Sequence, residues 1–382
     1  MLISQLKYTE EFGWETLSNA PEITKPTLAL IFGSTQLIKE NKGIAILKER
    51  FPETIFIGGS TAGEICGTKV YDDTIIATLI EFEKSTIAYV SEPISKPEDS
   101  FITGQKLLEK LPKDELKHVF VISEGLNING SELVNGMRSK TPNRVRITGG
   151  LAADGPNFSE TFTLSENGEA QKNHITAIGF YGKSLRISYG SMGGWDSFGV
   201  ARLVTKSKNN VLYELDGKPA LALYKTFLGE QLASDLPSSG LLFPLSLRID
   251  KDSEPVVRTI LAVDEATQSL TFAGDIPEGS HVRLMKANFD RLIEGASGAA
   301  KNSLFNFPGQ TPSIAILISC VGRKLVLKQI VEEEVEAVEE ILGKETKLCG
   351  FYSYGEVSPF SPEAKCELHN QTMTITSFSE IV

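Results

Sequence analysis

The stretch TIFIGGSTAGE at 54–64 decides how this chain is read. An apolar strand runs into glycines, with hydroxyl side chains and a carboxylate just beyond. The same design recurs as RVRITGGLAADG at 144–155 and as KLCGFYSYGE at 347–356. Each copy is preceded by another apolar strand ending in small residues: TLALIFGS (27–34), HVFVISEG (118–125) and SIAILISC (313–320). A helix separates the two strands, near 41–50 in the first copy, near 131–139 in the second, and as a longer element in the third. A further strand follows each time: TIIATLIEF (74–82), HITAIGFYG (174–182) and ELHNQTMTITSF (367–378). The intervals Ser34–Gly58, Ser123–Gly149 and Ser319–Gly350 are 24, 26 and 31 residues. Such self-similarity reads as one supersecondary unit used three times. The first and third copies agree best at the Gly-Glu pairs, Gly63-Glu64 and Gly355-Glu356.

The third helix has the clearest pattern. Val331, Val335, Val338 and Leu342 recur at helical spacing, and Gly343 is a natural stop. Glu332, Glu333, Glu334, Glu336, Glu339 and Glu340 are expected on a solvated face. A different stretch, about 206–311, separates the second and third copies. KNNVLYELDGKPALALYKTFL reads as a strand, a turn at Asp216-Gly217 and a helix with Pro219 near its first turn. FPLSLRID, VVRTILAVD, SLTFAGD and HVRLMKA alternate apolar and polar residues as short strands do. The boundary between the two halves falls near 206–220. The expected fold class is α/β of mixed α+β character: two related halves whose mixed sheets are built from repeated β-α-β-β units.

The 382 residues suffice for a large core without disulfides, and 41% hydrophobic with 23% charged residues is ordinary for a globular chain. The net charge of −11 argues against nucleic acid and against an anionic membrane surface. The basic cluster Arg138, Lys140, Arg144 and Arg146 reads as a solvated helix end and turn. The start, MLISQLKYTEEF, carries no secretory pattern, and the apolar runs are far shorter than the ~20 residues of a spanning helix. Four cysteines, Cys66, Cys320, Cys349 and Cys366, without a C-x-x-C pair suggest a reducing, cytoplasmic setting.

Catalytic signatures are scarce. No H-E-x-x-H zinc motif, phosphate loop or dinucleotide fingerprint is present. The segment Gly295-Ala296-Ser297-Gly298-Ala299 lacks the last glycine of a nucleophile elbow. Of the four histidines, His118, His174 and His369 sit in or beside expected strands and read as structural. No cluster has metal-ligand spacing, so no enzyme, no metal and no cofactor are expected.

The glycine loops carry more weight. Gly58, Gly59 and Gly63, with Gly149 and Gly150, allow close backbone approach, and in open α/β sheets ligands sit beyond the carboxyl ends of strands. The three loops are expected to converge on one shared cleft. Ser60, Thr61, Glu64, Asp154, Tyr352, Tyr354 and Glu356 stand beside them. Carboxylates among hydroxyls and aromatic rings suit an ammonium group. Arg323, in SCVGR, is the best-placed cation for a ligand carboxylate. Trp195, in GSMGGWDSFG, is a candidate pocket wall.

Taken together, these motifs resemble the FIST family, a sensory input domain of bacterial signal-transduction proteins. TLALIFGS, FIGGSTAGEI, ITGGLAADG, GGWDSFG and LYELDGKPAL resemble its N-terminal module. FPLSLRI, SLTFAGDIPEGSHVRLM, ISCVGRK, LCGFYSYGEVSP and the tail CELHNQTMTITSF resemble its C-terminal module. Where the family often has Asp-Gly, this chain has Glu124-Gly125, which keeps the charge. The resemblance implies an extension at 1–25, an N-terminal domain at 26–215 and a C-terminal domain with its last strand at 216–382. It also implies a cytoplasmic, non-enzymatic sensor of a small polar metabolite, an amino acid being the usual proposal. No kinase, cyclase, methyl-accepting or DNA-binding sequence accompanies the modules. The output is therefore expected in a separate partner such as a histidine kinase or cyclase. Some family members are described as haem-based nitric oxide sensors, which makes haem on a histidine the alternative.

Overall fold

The computed structural model describes residues 1–17, 23–250, 255–360 and 364–381. Each of the three copies builds the same piece of mixed sheet. In the first, Leu28–Gly33 and Ile55–Ser60 run parallel, joined by the helices Thr35–Glu40 and Lys42–Arg50. Ile75–Glu81 and then Leu2–Thr9 add antiparallel on the other side. In the second, Leu116–Ser123 and Arg146–Leu151 are the parallel pair around helix Gly130–Ser139, with His174–Tyr181 and Thr86–Pro93 beside them. In the third, Ile314–Cys320 and Lys347–Ser353 flank helix Val331–Leu342, with Met373–Glu380 and Leu185–Met192 beside them. The registers coincide: Gly33 pairs with Ile75, Ser123 with Ile175, and Ser319 with Met373. The residue of the first copy that matches Ser123 and Ser319 is thus Gly33, one before Ser34.

After its second parallel strand, each unit sends a short strand into a neighbour's sheet. Glu64–Cys66 pairs with Lys347–Ser353 of the third unit. Thr163–Leu164 pairs with Ile55–Ser60 of the first. Glu356–Pro359 pairs with Arg146–Leu151 of the second. The exchange is cyclic and closes the three sheets around one core.

Strand patterning explains that core. Leu28, Leu30 and Phe32 point inward to meet Phe120, Ile122, Ile316, Ile318 and Phe351. The alternate residues Ala29 and Ile31 point outward under Ile38, Ile44 and Leu47 of the helices. Strands buried on both faces read as continuous apolar runs. Each such side chain contributes roughly 1.5–3 kcal/mol on burial. Within the parallel pairs, Gly58, Gly149 and Gly350 have φ of 157°, 152° and 158°. A Cβ at these positions would lie 1.7, 1.9 and 1.8 Å from the carbonyl oxygens of Ile31, Val121 and Leu317.

The stretch between the second and third copies is a separate unit, inserted between Leu185–Met192 and helix Phe289–Asn302. Its strands run from Trp195–Ser197 to His281–Ala287. Its own core contains Val204, Leu212, Tyr224, Leu245, Ile260 and Phe272. The Asp216-Gly217 turn has φ of 51° and 72°, and helix Ala220–Leu228 starts directly after Pro219.

Two sequence expectations are corrected. Glu334 is not on a solvated face: it is wholly buried, because it faces a buried arginine described below. The segment 367–378 is not one strand. Cys366–His369 joins the sheet of the second unit and Met373–Glu380 that of the third, with a sharp turn at Asn370–Thr372 between them.

Candidate functional site

The three glycine loops meet. Ala62 N donates to Tyr352 O (2.9 Å), Tyr354 N to Leu151 O (3.4 Å) and Ala153 N to Ser60 O (2.9 Å). In return, Tyr352 N donates to Gly63 O (2.9 Å), Leu151 N to Gly355 O (2.8 Å) and Ser60 N to Phe162 O (2.9 Å). These bonds form a closed ring, one reciprocal pair at each junction of two units. Buried backbone groups must find partners, and the loops find them in one another. The glycines permit the approach: a Cβ on Gly59 would lie 2.3 Å from Phe162 O, and one on Gly150 2.8 Å from the Ile318 Cγ2 methyl. Gly63 (φ 132°) lies beneath the Lys324 ammonium. That ammonium donates to Ala62 O (2.9 Å), pairs with Asp72 and stands 5.5 Å from the centre of the Tyr352 ring.

Two carboxyls occupy matching cages in this ring. Thr61 Oγ1 donates to Glu64 Oε1 (2.6 Å) and Thr74 Oγ1 to Oε2 (2.8 Å). Ser353 Oγ donates to Glu356 Oε1 (2.6 Å), while Thr372 N and Oγ1 donate to Oε2 (3.1 and 3.0 Å). Burial pushes each of these two carboxyls up to about 8, against the pull of their hydroxyl donors. Both therefore hold a proton more tightly in the folded chain than in the unfolded chain, where a carboxyl titrates near 4.5. Between those values the folded state carries more protons, so stability falls as pH rises, by up to about 1.4 kcal/mol per pH unit for each group. The loss levels off above about pH 8. Urea midpoints measured across this range should decline, and Glu64→Gln or Glu356→Gln should each flatten the decline. An unchanged slope in both variants would mean that neither carboxyl is shifted.

In the second unit the carboxylates stand elsewhere. Asp154 Oδ2 accepts from Ser159 N (2.8 Å), Ser159 Oγ (2.9 Å) and Glu160 N (3.0 Å). Its Oδ1 takes the Tyr354 hydroxyl, and the Tyr354 ring stacks on Phe158 at 4.6 Å. Glu124 accepts from Thr161 Oγ1 (2.9 Å) and from the backbone at Leu126 and Asn127. Ser60 Oγ accepts from Phe162 N (3.0 Å).

Arg323 stands differently from expectation. Its guanidinium faces a carboxylate of the protein itself: Nε and Nη2 lie 2.9 and 2.8 Å from Glu334 Oε2. Nη1 donates to Gly193 O (3.1 Å), and Nη2 also to Leu292 O (2.6 Å). Glu334 Oε1 accepts from the Tyr352 hydroxyl (2.7 Å) and Ser319 Oγ (3.0 Å). Arg323, Glu334 and Tyr352 are each 0% exposed. The ring thus brings Gly59, Ser60, Thr61, Gly63, Glu64, Gly149, Gly150, Asp154, Tyr352, Tyr354 and Glu356 together. Arg323 reaches it only through Glu334 and Tyr352. Read from the sequence, Glu334 belongs to a solvated face, and neither Thr74 nor Thr372 stands out. A T/S-x-x-E spacing, Thr61–Glu64 and Ser353–Glu356, was a visible sign of the cages, but the second hydroxyl comes from the residue just before another strand, Thr74 or Thr372.

A cleft of about 600 Å³ opens beside the ring, between the three-sheet body and the inserted unit. Trp195 forms part of its wall, as the sequence suggested, together with Leu247, Arg258, Asp275, His369 and Thr372. The Asn370–Thr372 turn ties the ring to the inserted unit. Asn370 accepts from Thr259 N (3.3 Å) and donates to Tyr354 O (3.2 Å). Gln371 Nε2 donates to Leu241 O (3.0 Å) and Thr259 Oγ1 (3.2 Å). Thr372 holds Glu356.

The histidines give haem a poor fit. His118 is sealed in the core with Nε2 on Thr148 Oγ1 (2.7 Å), and burial pushes it down to about 3. His174 bonds the Lys172 carbonyl, and His281 is exposed. His369 stands at the cleft wall with Nε2 on Ser358 O (2.9 Å). Arg258, Asp275, Lys365 and Glu367 line the same cleft, among apolar residues such as Trp195 and Leu247. Among the described residues no cluster of His, Cys, Asp and Glu is placed to hold a metal ion. Ser297 lies inside helix Phe289–Asn302 with Oγ on Ile293 O (3.3 Å), not on a strand-to-helix turn.

Comparison with known proteins agrees with the motifs. The FIST N domain matches residues 27–218 and the FIST C domain residues 220–359. An uncharacterized protein of Methanocaldococcus jannaschii is 26% identical over 86% of this chain and 69% of its own length. The crystal structure of a cyanuric acid hydrolase from A. caulinodans aligns with 94% of this chain and 91% of its own at 6% identity, with a TM-score of 0.39. No helix among the described residues is long and apolar enough to cross a membrane.

Proposed function

The chain belongs to the FIST family, and from that premise we propose a sensor that binds a small polar metabolite, an amino acid or a compound of similar size, without turning it over. FIST domains are sensory domains of signal transduction. In this reading the protein works in the cytoplasm, takes no cofactor, and passes its state to a separate partner such as a histidine kinase or a cyclase. The observation that carries it is the link between the loop ring and the inserted unit through Asn370, Gln371 and Thr372. A signal requires two arrangements that bind the ligand with different affinity. The inserted unit has a core of its own and meets the body through a mixed seam. There Trp195, Leu241, Ala273 and Met285 join the body's core, and Asn370 and Gln371 supply polar contacts. Movement along that seam would supply the second arrangement. Ser60, Thr61, Glu64, Asp154, Tyr354 and Glu356 are the ring residues that would register the change.

A thermal-shift screen of cellular metabolites against the full chain tests the reading. A true ligand at 100 times its Kd should stabilise the protein by about 2.7 kcal/mol. The same ligand should raise hydrogen-exchange protection both in the ring and in the inserted unit. A screen with no stabilising metabolite defeats the proposal, and turnover of a bound one would make the protein an enzyme.

A further inference from the structure

Arg258 is the unusual group of the cleft. It is only 7% exposed, yet its hydrogen bonds go to backbone carbonyls alone: Val257 O (3.2 Å), Leu368 O (3.1 Å) and Asp275 O (3.3 Å). These bonds use Nε and Nη1; among the described residues none is made by Nη2, and no carboxylate forms an ion pair with the group. Carbonyl oxygens orient a guanidinium, and Asp275 and Glu367 favour its charge through space, but among the described residues neither lies within ion-pair distance. Burial pushes Arg258 down to about 10, with Asp275 and Glu367 opposing, so it remains a cation at neutral pH. A mostly buried cation without a direct ion pair, with Nη2 making no hydrogen bond among the described residues, is placed to take an anion from the cleft. Arg323, wholly buried, is by contrast matched directly by Glu334.

The surroundings indicate what kind of anion. The wall beside Arg258 is formed largely by Trp195, Leu247, Met285 and Leu368. Trp195 is held there by strand pairing with Ala287 and by the Gly193-Gly194 backbone packed against helix Phe289–Asn302. A mostly apolar cleft of this size with a few convergent polar groups has the character of a small-molecule site. The geometry points to this cleft as the seat of an organic carboxylate with an apolar body, the carboxylate on Arg258 and the body against Trp195. The inference deepens the sensor reading, and rests on it only in taking the bound molecule as the signal. Thr372, which donates to Glu356, and His369 line the same cleft, which connects it to the ring.

The chain has two tryptophans, and Trp14 lies elsewhere, against Tyr8 with Nε1 on Gly43 O (2.8 Å). A Trp14→Phe protein therefore leaves Trp195 as the only indole reporter. Titration of the full chain with 4-methylpentanoate should change Trp195 emission saturably, and 4-methylpentanamide, the uncharged analogue, should not. Arg258→Gln keeps a side-chain donor for the carbonyls and should weaken the acid by about 10- to 100-fold. Val257→Phe narrows the cleft without touching the guanidinium and should weaken it as well, which guards against a folding defect in the arginine variant. Equal response to acid and amide, no response to either, or full affinity in both variants overturns the inference. The metabolite screen is scored apart from this. A stabilising metabolite indifferent to Arg258→Gln leaves the sensor and removes the cleft, whereas a 4-methylpentanoate response without any stabilising metabolite does the reverse.

Discussion

Glu334→Ala should lower folding stability by about 3–5 kcal/mol, the usual result of removing one partner of a buried ion pair. The Arg323 guanidinium has no route to solvent, and Glu334 is its only carboxylate among the described residues. The variant would leave that cation facing two backbone carbonyls, and would also strand the Tyr352 and Ser319 hydroxyls. Arg323→Met should cost less, since a stranded carboxylate can take a proton and a guanidinium cannot lose one. The double variant should be more stable than the sum of the two single losses implies, because each single change leaves the other charge unmatched. Urea unfolding of the full chain reads all three. A loss under about 1 kcal/mol for Glu334→Ala would mean that water reaches the pair, as it does for surface pairs.

Gly58→Ala should be of similar severity. The added Cβ would sit 1.7 Å from Ile31 O, inside the parallel pair, at a φ of 157° that L-residues rarely adopt. Backbone strain of about 1–3 kcal/mol adds to a comparable overpacking term. Gly149→Ala and Gly350→Ala meet the same obstacle, 1.9 Å from Val121 O and 1.8 Å from Leu317 O, and should behave alike. Gly217→Ala is the control. Its φ is 72°, with nothing within 4 Å of the new atom, so it should cost only about 1 kcal/mol. If Gly58→Ala proved as mild as Gly217→Ala, the close packing of the parallel strands would be disproved.

The repeat was legible because each unit carries its own local signals. Apolar runs such as LALIF report strands buried on both faces, and Val331, Val335, Val338 and Leu342 report a helix stripe. The convergence of the loops was also readable, since repeated units present equivalent ends on one side. Their contents were not. The glycines bring the loops together by closing them on each other's backbones, so the ring is a packed junction beside a cleft. Glu334 shows the limit most clearly. In sequence it is one glutamate of six in a charged run, and its burial depends on Arg323, eleven positions earlier on the preceding short helix.

The order of units, the mixed sheets and the presence of a different stretch between the second and third copies were legible in the sequence, because periodicity and turn chemistry act over a few residues. The bounds of that stretch, read as about 206–311, fall in the structure between Met192 and Phe289. Tertiary structure alone decided the cyclic exchange of short strands, the pairing of Arg323 with Glu334, and the lack of a direct ion pair at Arg258 among the described residues. Electrostatic partners are chosen by distance in space, and neither of two arginines in a linear string reveals which one will meet a carboxylate.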